Sequence, residues 1–174
     1  MSNETNLSYT GNVSVKLLIN DKVVEINDHN LGLPYLMKAF AKFVTGNYSG
    51  ESDIPQFLDL RKFVDTEGVQ EWETYLNQRV PLSGRLFEYN EKQSPPNWIA
   101  KFTGVINHSV LKDTILEDSL EKYRIYLYSG YDSSDSNEPY HDIAYLNISA
   151  KDLARIVPGT QAIIEWVMQV KNPE

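Results

Sequence analysis

The chain contains no cysteine, which removes disulfides, thiolate metal sites and cysteine nucleophiles together. Histidine is scarce: His29, His108 and His141 each sit in a polar breaker. None lies at the i, i+2 or i, i+4 spacing that places two imidazoles on one metal ion. Lys and Arg are scattered and the formal net charge is −8, whereas a surface for nucleic acid or an anionic membrane needs clustered cations. No apolar run is long enough to cross a bilayer, and the polar start Met1-Ser2-Asn3-Glu4-Thr5-Asn6 does not read as a signal peptide. The sequons beginning at Asn3, Asn6, Asn12, Asn47, Asn107 and Asn147 therefore read as composition rather than as glycosylation sites. There is no Gly-x-Ser-x-Gly elbow, no phosphate-binding glycine loop and no dinucleotide fingerprint. These absences predict a protein that is not an enzyme, with no catalytic residues, no metal and no cofactor.

What the chain does contain is strand pattern. Its 174 residues suffice for one domain with a real core. We expect a flexible polar arm at residues 1–11 and a single β-sandwich domain over 12–174. The last strand, Ala162–Lys171, is its clearest element: Ile164, Trp166, Met168 and Val170 fall on one face, and Ile163, Glu165, Val167 and Gln169 on the other. Pro158-Gly159-Thr160 turns the chain into it. Val13–Ile19 and Val23–Ile26 alternate as a hairpin about Asn20-Asp21-Lys22, broken by Asn27-Asp28-His29-Asn30. Leu33, Leu36, Met37, Phe40 and Val44 recur at helical spacing, with Pro34 in the first turn and Gly46-Asn47 at the end. This spacing predicts one helix over about 33–45, packed on a sheet.

Further strands are expected over Gln56–Val64, Leu82–Tyr89, Trp98–Ile106, Tyr123–Ser129 and Ile143–Ile148, with a helical turn in Ala150–Ile156. Thr66–Gln78 reads either as a short helix carrying Trp72, Tyr75 and Leu76 or as strand and loop. Asn107–Lys122 is likewise open between helix and two extended pieces. Gly104, inside a strand, marks a bulge or a close backbone approach. The pattern as a whole is mainly β: an antiparallel β-sandwich with one helix packed on it.

Three clusters merit weighing as sites. The loop Tyr131-Asp132-Ser133-Ser134-Asp135-Ser136-Asn137-Glu138 is rich in oxygen ligands of the kind calcium takes, but it lacks EF-hand spacing and the turn glycine. Asp59, Glu71, Glu73 and Glu88 lie near aromatics, yet nothing in their context marks an acid–base pair. Tyrosines outnumber phenylalanines eleven to six, and Tyr123, Tyr126, Tyr128, Tyr131, Tyr140 and Tyr145 gather around one loop. A ring that packs while its hydroxyl stays wet suits an interface or a sugar as well as a strand.

The layout resembles small β-sandwich structural proteins of tailed bacteriophages, of the tail-fibre, baseplate-adaptor and head-fibre type. The resembling features are the early hairpin Val13–Ile26, the segment Trp98-Ile99-Ala100-Lys101-Phe102-Thr103-Gly104-Val105-Ile106, and Arg124-Ile125-Tyr126-Leu127-Tyr128-Ser129-Gly130. Asp142-Ile143-Ala144-Tyr145-Leu146 and the closing Pro158–Trp166 complete them. In those proteins the last strand similarly carries Glu-Trp, or a close variant, shortly before an Asn near the chain end. The resemblance implies a virion location and a non-enzymatic assembly or attachment module. Its partners would be other virion proteins, in a homo-oligomer or multi-copy assembly. A carbohydrate-binding module using the Tyr-rich loop 123–145, a host-directed inhibitory binding protein and a small enzyme with paired carboxylates are the competing classes.

Overall fold

The computed structural model describes residues 12–19, 22–29, 31–32, 55–92, 97–129 and 141–171. Among them, eleven strands form two antiparallel sheets, so the protein is mainly β, as the alternation predicts. The first sheet is built from β1 (Asn12–Ile19), β2 (Lys22–His29), β7 (Gly84–Asn90), β8 (Asn97–Asn107) and β11 (Gln161–Lys171), in the order β2-β1-β11-β8-β7. The second is built from β3 (Leu31–Gly32), β4 (Phe57–Thr66), β5 (Val69–Thr74), β9 (Tyr123–Ser129) and β10 (His141–Ile148). Its order is β3-β10-β9-β4-β5, with the two-residue β6 (Val80–Pro81) paired to the start of β4.

Alternation places the core between the sheets. Ala162, Ile164 and Trp166 of β11, with Ala100, Phe102 and Ile106 of β8, join Leu58 and Leu60 of β4, Ile125 and Leu127 of β9, and Leu146 of β10 in one buried cluster. The sheets meet closely at Gly104, where a Cβ would collide with the Leu58 side chain. The glycine is therefore required by close approach, one of the two readings its position in a strand suggested. Val80 of β6 and the segments between strands, with Leu76, Val110, Leu111, Ile115, Leu153 and Ile156, add to the same core.

Of the two open segments, the first resolves as a hairpin strand and the second as irregular chain. Glu67 and Gly68 both have positive φ (54° and 86°), which makes a two-residue hairpin turn whose twist matches that of paired strands. Asp65 accepts the Gly68 N–H across that turn, and β5 follows in place of a helix. Asn107–Lys122 holds only a short 3-10 turn, His108–Val110, and an isolated bridge between Leu76 and Leu111. Its apolar residues divide: Val110, Leu111 and Ile115 are buried, while Leu116 and Leu120 are exposed. The expected turn near Ala150 is the short helix α1 (Ala150–Leu153), capped by the Ser149 hydroxyl, which accepts the Asp152 N–H at 3.1 Å.

One expected breaker does not break. Asn27, Asp28 and His29 continue β2, because the ladder to β1 runs on to the Asn12–His29 pair. Backbone pairing with a neighbour outweighs the weak strand propensity of these residues. The predicted helix over 33–45 and the arm at 1–11 lie outside the described residues. So does the loop expected at Gly130–His141, except His141, which opens β10.

Candidate interaction surfaces

The outer face of the second sheet is polar and aromatic at once. In β4 the alternation Phe57, Asp59, Arg61, Phe63 points away from the core, opposite Tyr128, Tyr126 and Arg124 of β9 and Trp72 and Thr74 of β5. Arg61 is its centre. Its Nη1 and Nη2 donate to both carboxylate oxygens of Asp142 at 2.9 and 2.8 Å, and its Nε donates to Asp59 at 2.8 Å. The guanidinium also lies 4.1 Å from the Tyr126 ring centroid, and the Thr74 hydroxyl donates to the other Asp59 oxygen at 2.6 Å. Burial works against the charge on Arg61, but hydrogen bonds to Asp142 and Asp59 outweigh it and hold the group ionised above its ordinary range. The pair spans β9 and ties β4 to β10. A bulge between Asp142 and Ala144 lets Asp142 face outward while Ile143 and Ala144 are both buried.

Next to it, Arg124 lies 4.0 Å from the ring centroids of both Trp72 and Tyr145, and its Nε donates to Asn147 at 2.9 Å. Trp72 packs on Phe63 at 5.3 Å, and Tyr126 on Tyr145 at 5.5 Å. A cleft of about 380 Å³ opens here, lined by Trp72, Glu121, Lys122, Arg124 and Asn147 among others. At its rim Glu121 pairs with Lys62 and accepts the Tyr123 hydroxyl at 2.6 Å. The bond from Lys62, then that from Tyr123, draws the Glu121 pKa below its ordinary value. The same pairing with Glu121 raises that of Lys62. Burial, reinforced by the bond to Glu121, pushes the Tyr123 phenol well up.

The outer face of the first sheet has a different character. Val23, Leu18, Ile163 and Val105 form one row across β2, β1, β11 and β8. Val23 and Leu18 are 57% and 36% exposed, an apolar surface left accessible at these positions. The next row on this face carries Glu25, Lys16 and Glu165. Lys16 pairs with Glu25 at 3.2 Å. Lys101, two residues along β8 from the position opposite Glu165, reaches back to it at 2.6 Å. Leu86 of β7, 51% exposed, lies beside Lys101.

The residues singled out from sequence separate. His29 ends an edge strand of the first sheet, His141 opens β10 of the second, and His108 lies in the 3-10 turn after β8. Among the described residues no group of three or more His, Asp or Glu is placed to hold a metal. His108 borders a second cleft of about 380 Å³ with Asn107, Ser109, Pro158, Thr160 and Gln161, and its buried Nε2 has no partner among the described residues. Asp59 is buried and committed to Arg61 and Thr74. Glu71 and Glu73 project from the opposite face of the sheet, and Glu88 is exposed on β7 of the other sheet. Of the clustered tyrosines, Tyr131 and Tyr140 lie outside the described residues. Tyr123 is in the core, Tyr126 and Tyr128 are buried on the outer face, and Tyr145 stacks on Arg124. They do not make one platform. Arg61 and Arg124 carry no mark in the sequence, although the i, i+2 spacing of Asp59 and Arg61 inside a strand puts both on one face. No protein-family model matches the chain, and no curated protein or solved structure does.

Proposed function

We propose that this chain is a non-enzymatic structural module of a tailed-bacteriophage virion, holding neighbouring chains through the faces of its sandwich. The observation that carries the reading is the outer face of the first sheet. Exposed Val23, Leu18 and Leu86, half-buried Ile163, Val105 and Val167, and two ion pairs form a mixed surface of the kind that protein interfaces bury. The phage assignment rests on the resemblance of the hairpin, the Trp98–Ile106 strand and the closing Glu165-Trp166 strand to virion sandwiches. Mass spectrometry of purified particles tests it: peptides of this chain at a fixed multiple of a known capsid or tail component are expected. Their absence from particles, together with a chain that associates with no virion component, discards the reading.

A second reading, glycan recognition, draws on the cleft beside Trp72. There Trp72, with the Arg124 guanidinium over its ring, shares the lining with Lys122, Asn147 and Glu121, donors and acceptors suited to sugar hydroxyls. Binding on a glycan array that is lost in Trp72→Ala supports it. An array without signal removes it.

A further inference from the structure

Across the outer face of the first sheet the charges alternate in sign from strand to strand: Glu25 on β2, Lys16 on β1, Glu165 on β11, and Lys101 on β8, whose ammonium leans back to Glu165. All four are accessible, with side chains 52%, 46%, 32% and 35% exposed. A sequence minus, plus, minus, plus reads as its own complement when reversed. We propose that this face pairs with the same face of a second copy about a two-fold axis lying in the interface, parallel to the strands and between β1 and β11. The inference rests on the assembly reading above and names its partner.

The geometry follows from the register. Such an axis lays β2 over β8 of the second copy and β1 over its β11. Lys16 then meets Glu165 of the other copy, and Glu25 comes within reach of its Lys101. In the adjoining row Val23 faces Val105 and Leu18 faces Ile163, so apolar residues cover apolar residues. An axis running across the strands along the charged row would instead set Glu25 on Glu25 and Lys16 on Lys16, which like-charge repulsion disfavours. The charges thus select the arrangement, while the apolar row supplies the burial. The chain carries a net charge of −8, and two copies repel at long range. Across β2, β1, β11 and β8, the four strands that would overlap, this row sets two lysines against two glutamates. Glu88 on the edge strand β7 falls outside the overlap, so a copy of an acidic protein is tolerated on this face. Face-to-face packing of two twisted sheets at a small angle is an ordinary solution for β proteins.

Charge exchange tests it in the full chain. Lys16→Glu alone sets two carboxylates against each other across the axis, and Glu165→Lys alone sets two ammonium groups together there. Each is expected to weaken self-association by roughly tenfold or more in sedimentation equilibrium. A one-to-one mixture of the two variants restores opposite signs at both contacts and should return to the wild-type dimer constant, whereas neither variant alone does. Circular dichroism and thermal midpoints close to wild type show that the variants fold. A wild-type dimer indifferent to both exchanges, or a mixture no tighter than the separate variants, overturns the proposal. So does a wild type that stays monomeric. Incorporation into particles, read separately by mass spectrometry, then tells whether the assembly reading falls with it.

Discussion

At the scale of single residues, Arg61 does more than its sequence context announces. Asp59 is 5% exposed and Asp142 lies 81 residues along the chain from Arg61, yet one guanidinium satisfies both carboxylates. Removing it leaves two carboxylates partly desolvated and unpaired. Arg61→Met is therefore expected to lose about 3 kcal/mol of stability in urea unfolding. Adding Asp59→Asn and Asp142→Asn should recover part of that loss, because the stranded charges go with it. Glu121 gives a pH dependence of definite sign. Its folded-state pKa lies below the ordinary carboxylate value, so its contribution is present above that value, about 4.3, and is lost as pH falls through the lowered folded value. Glu121→Gln should flatten the acid limb of the stability profile in that window and leave its slope near neutrality unchanged. The comparison is by thermal midpoint against pH.

At the scale of elements, turn chemistry decides what periodicity left open. In Thr66–Gln78 the spacing of Trp72, Tyr75 and Leu76 fits a helix as readily as a strand, since three apolar residues are too few to separate the two periods. Glu67 and Gly68 at positive φ settle the matter as a hairpin. Glu67 is strained there, whereas Asn tolerates the left-handed region. Glu67→Asn should thus stabilise by about 0.5 kcal/mol, and Gly68→Ala should destabilise by about 1 kcal/mol, both read as shifts in the urea midpoint. Apart from β5 and the two-residue β3 and β6, the strands were legible: Tyr123–Ser129 has the predicted bounds, and Ala162–Lys171 differs by one residue at its start. Asn107–Lys122 was not, because its Val110, Leu111 and Ile115 are held by distant strands rather than by a local period. The surface carried by Arg61 and Arg124 was legible only as alternation. Their partners Asp142, Trp72 and Tyr145 come from other strands.

At the scale of the molecule, two sheets share one core and each has an outer face of its own kind. The second sheet carries guanidinium–aromatic stacking and a part-buried ion pair on its outer face, and the first leaves apolar side chains and paired charges accessible. The sheets approach closely at Gly104. Gly104→Ala should force Leu58 from its position or part the sheets, with an expected loss of about 2 kcal/mol by urea unfolding. Leu58→Ala should cost less in this background than it does alone, because the added methyl fills part of the space it opens. The strand Ala162–Lys171 links all three scales. Its Trp166 is fully buried in the shared core, and Glu165 beside it faces outward in the charged row.

By itself the sequence determined most of the longer strands, the apolar face of the last one and the mainly β class, because side-chain alternation is written into neighbouring residues and burial acts on it directly. Only the tertiary structure decided the strand order, the edges at β2, β7, β3 and β5 among the described residues, and the face that each charge shares with others. Those depend on pairings between residues far apart in the chain. Register, close approach at Gly104 and the placement of Arg61 between two distant aspartates are consequences of how the sheets pack, and no local period encodes them.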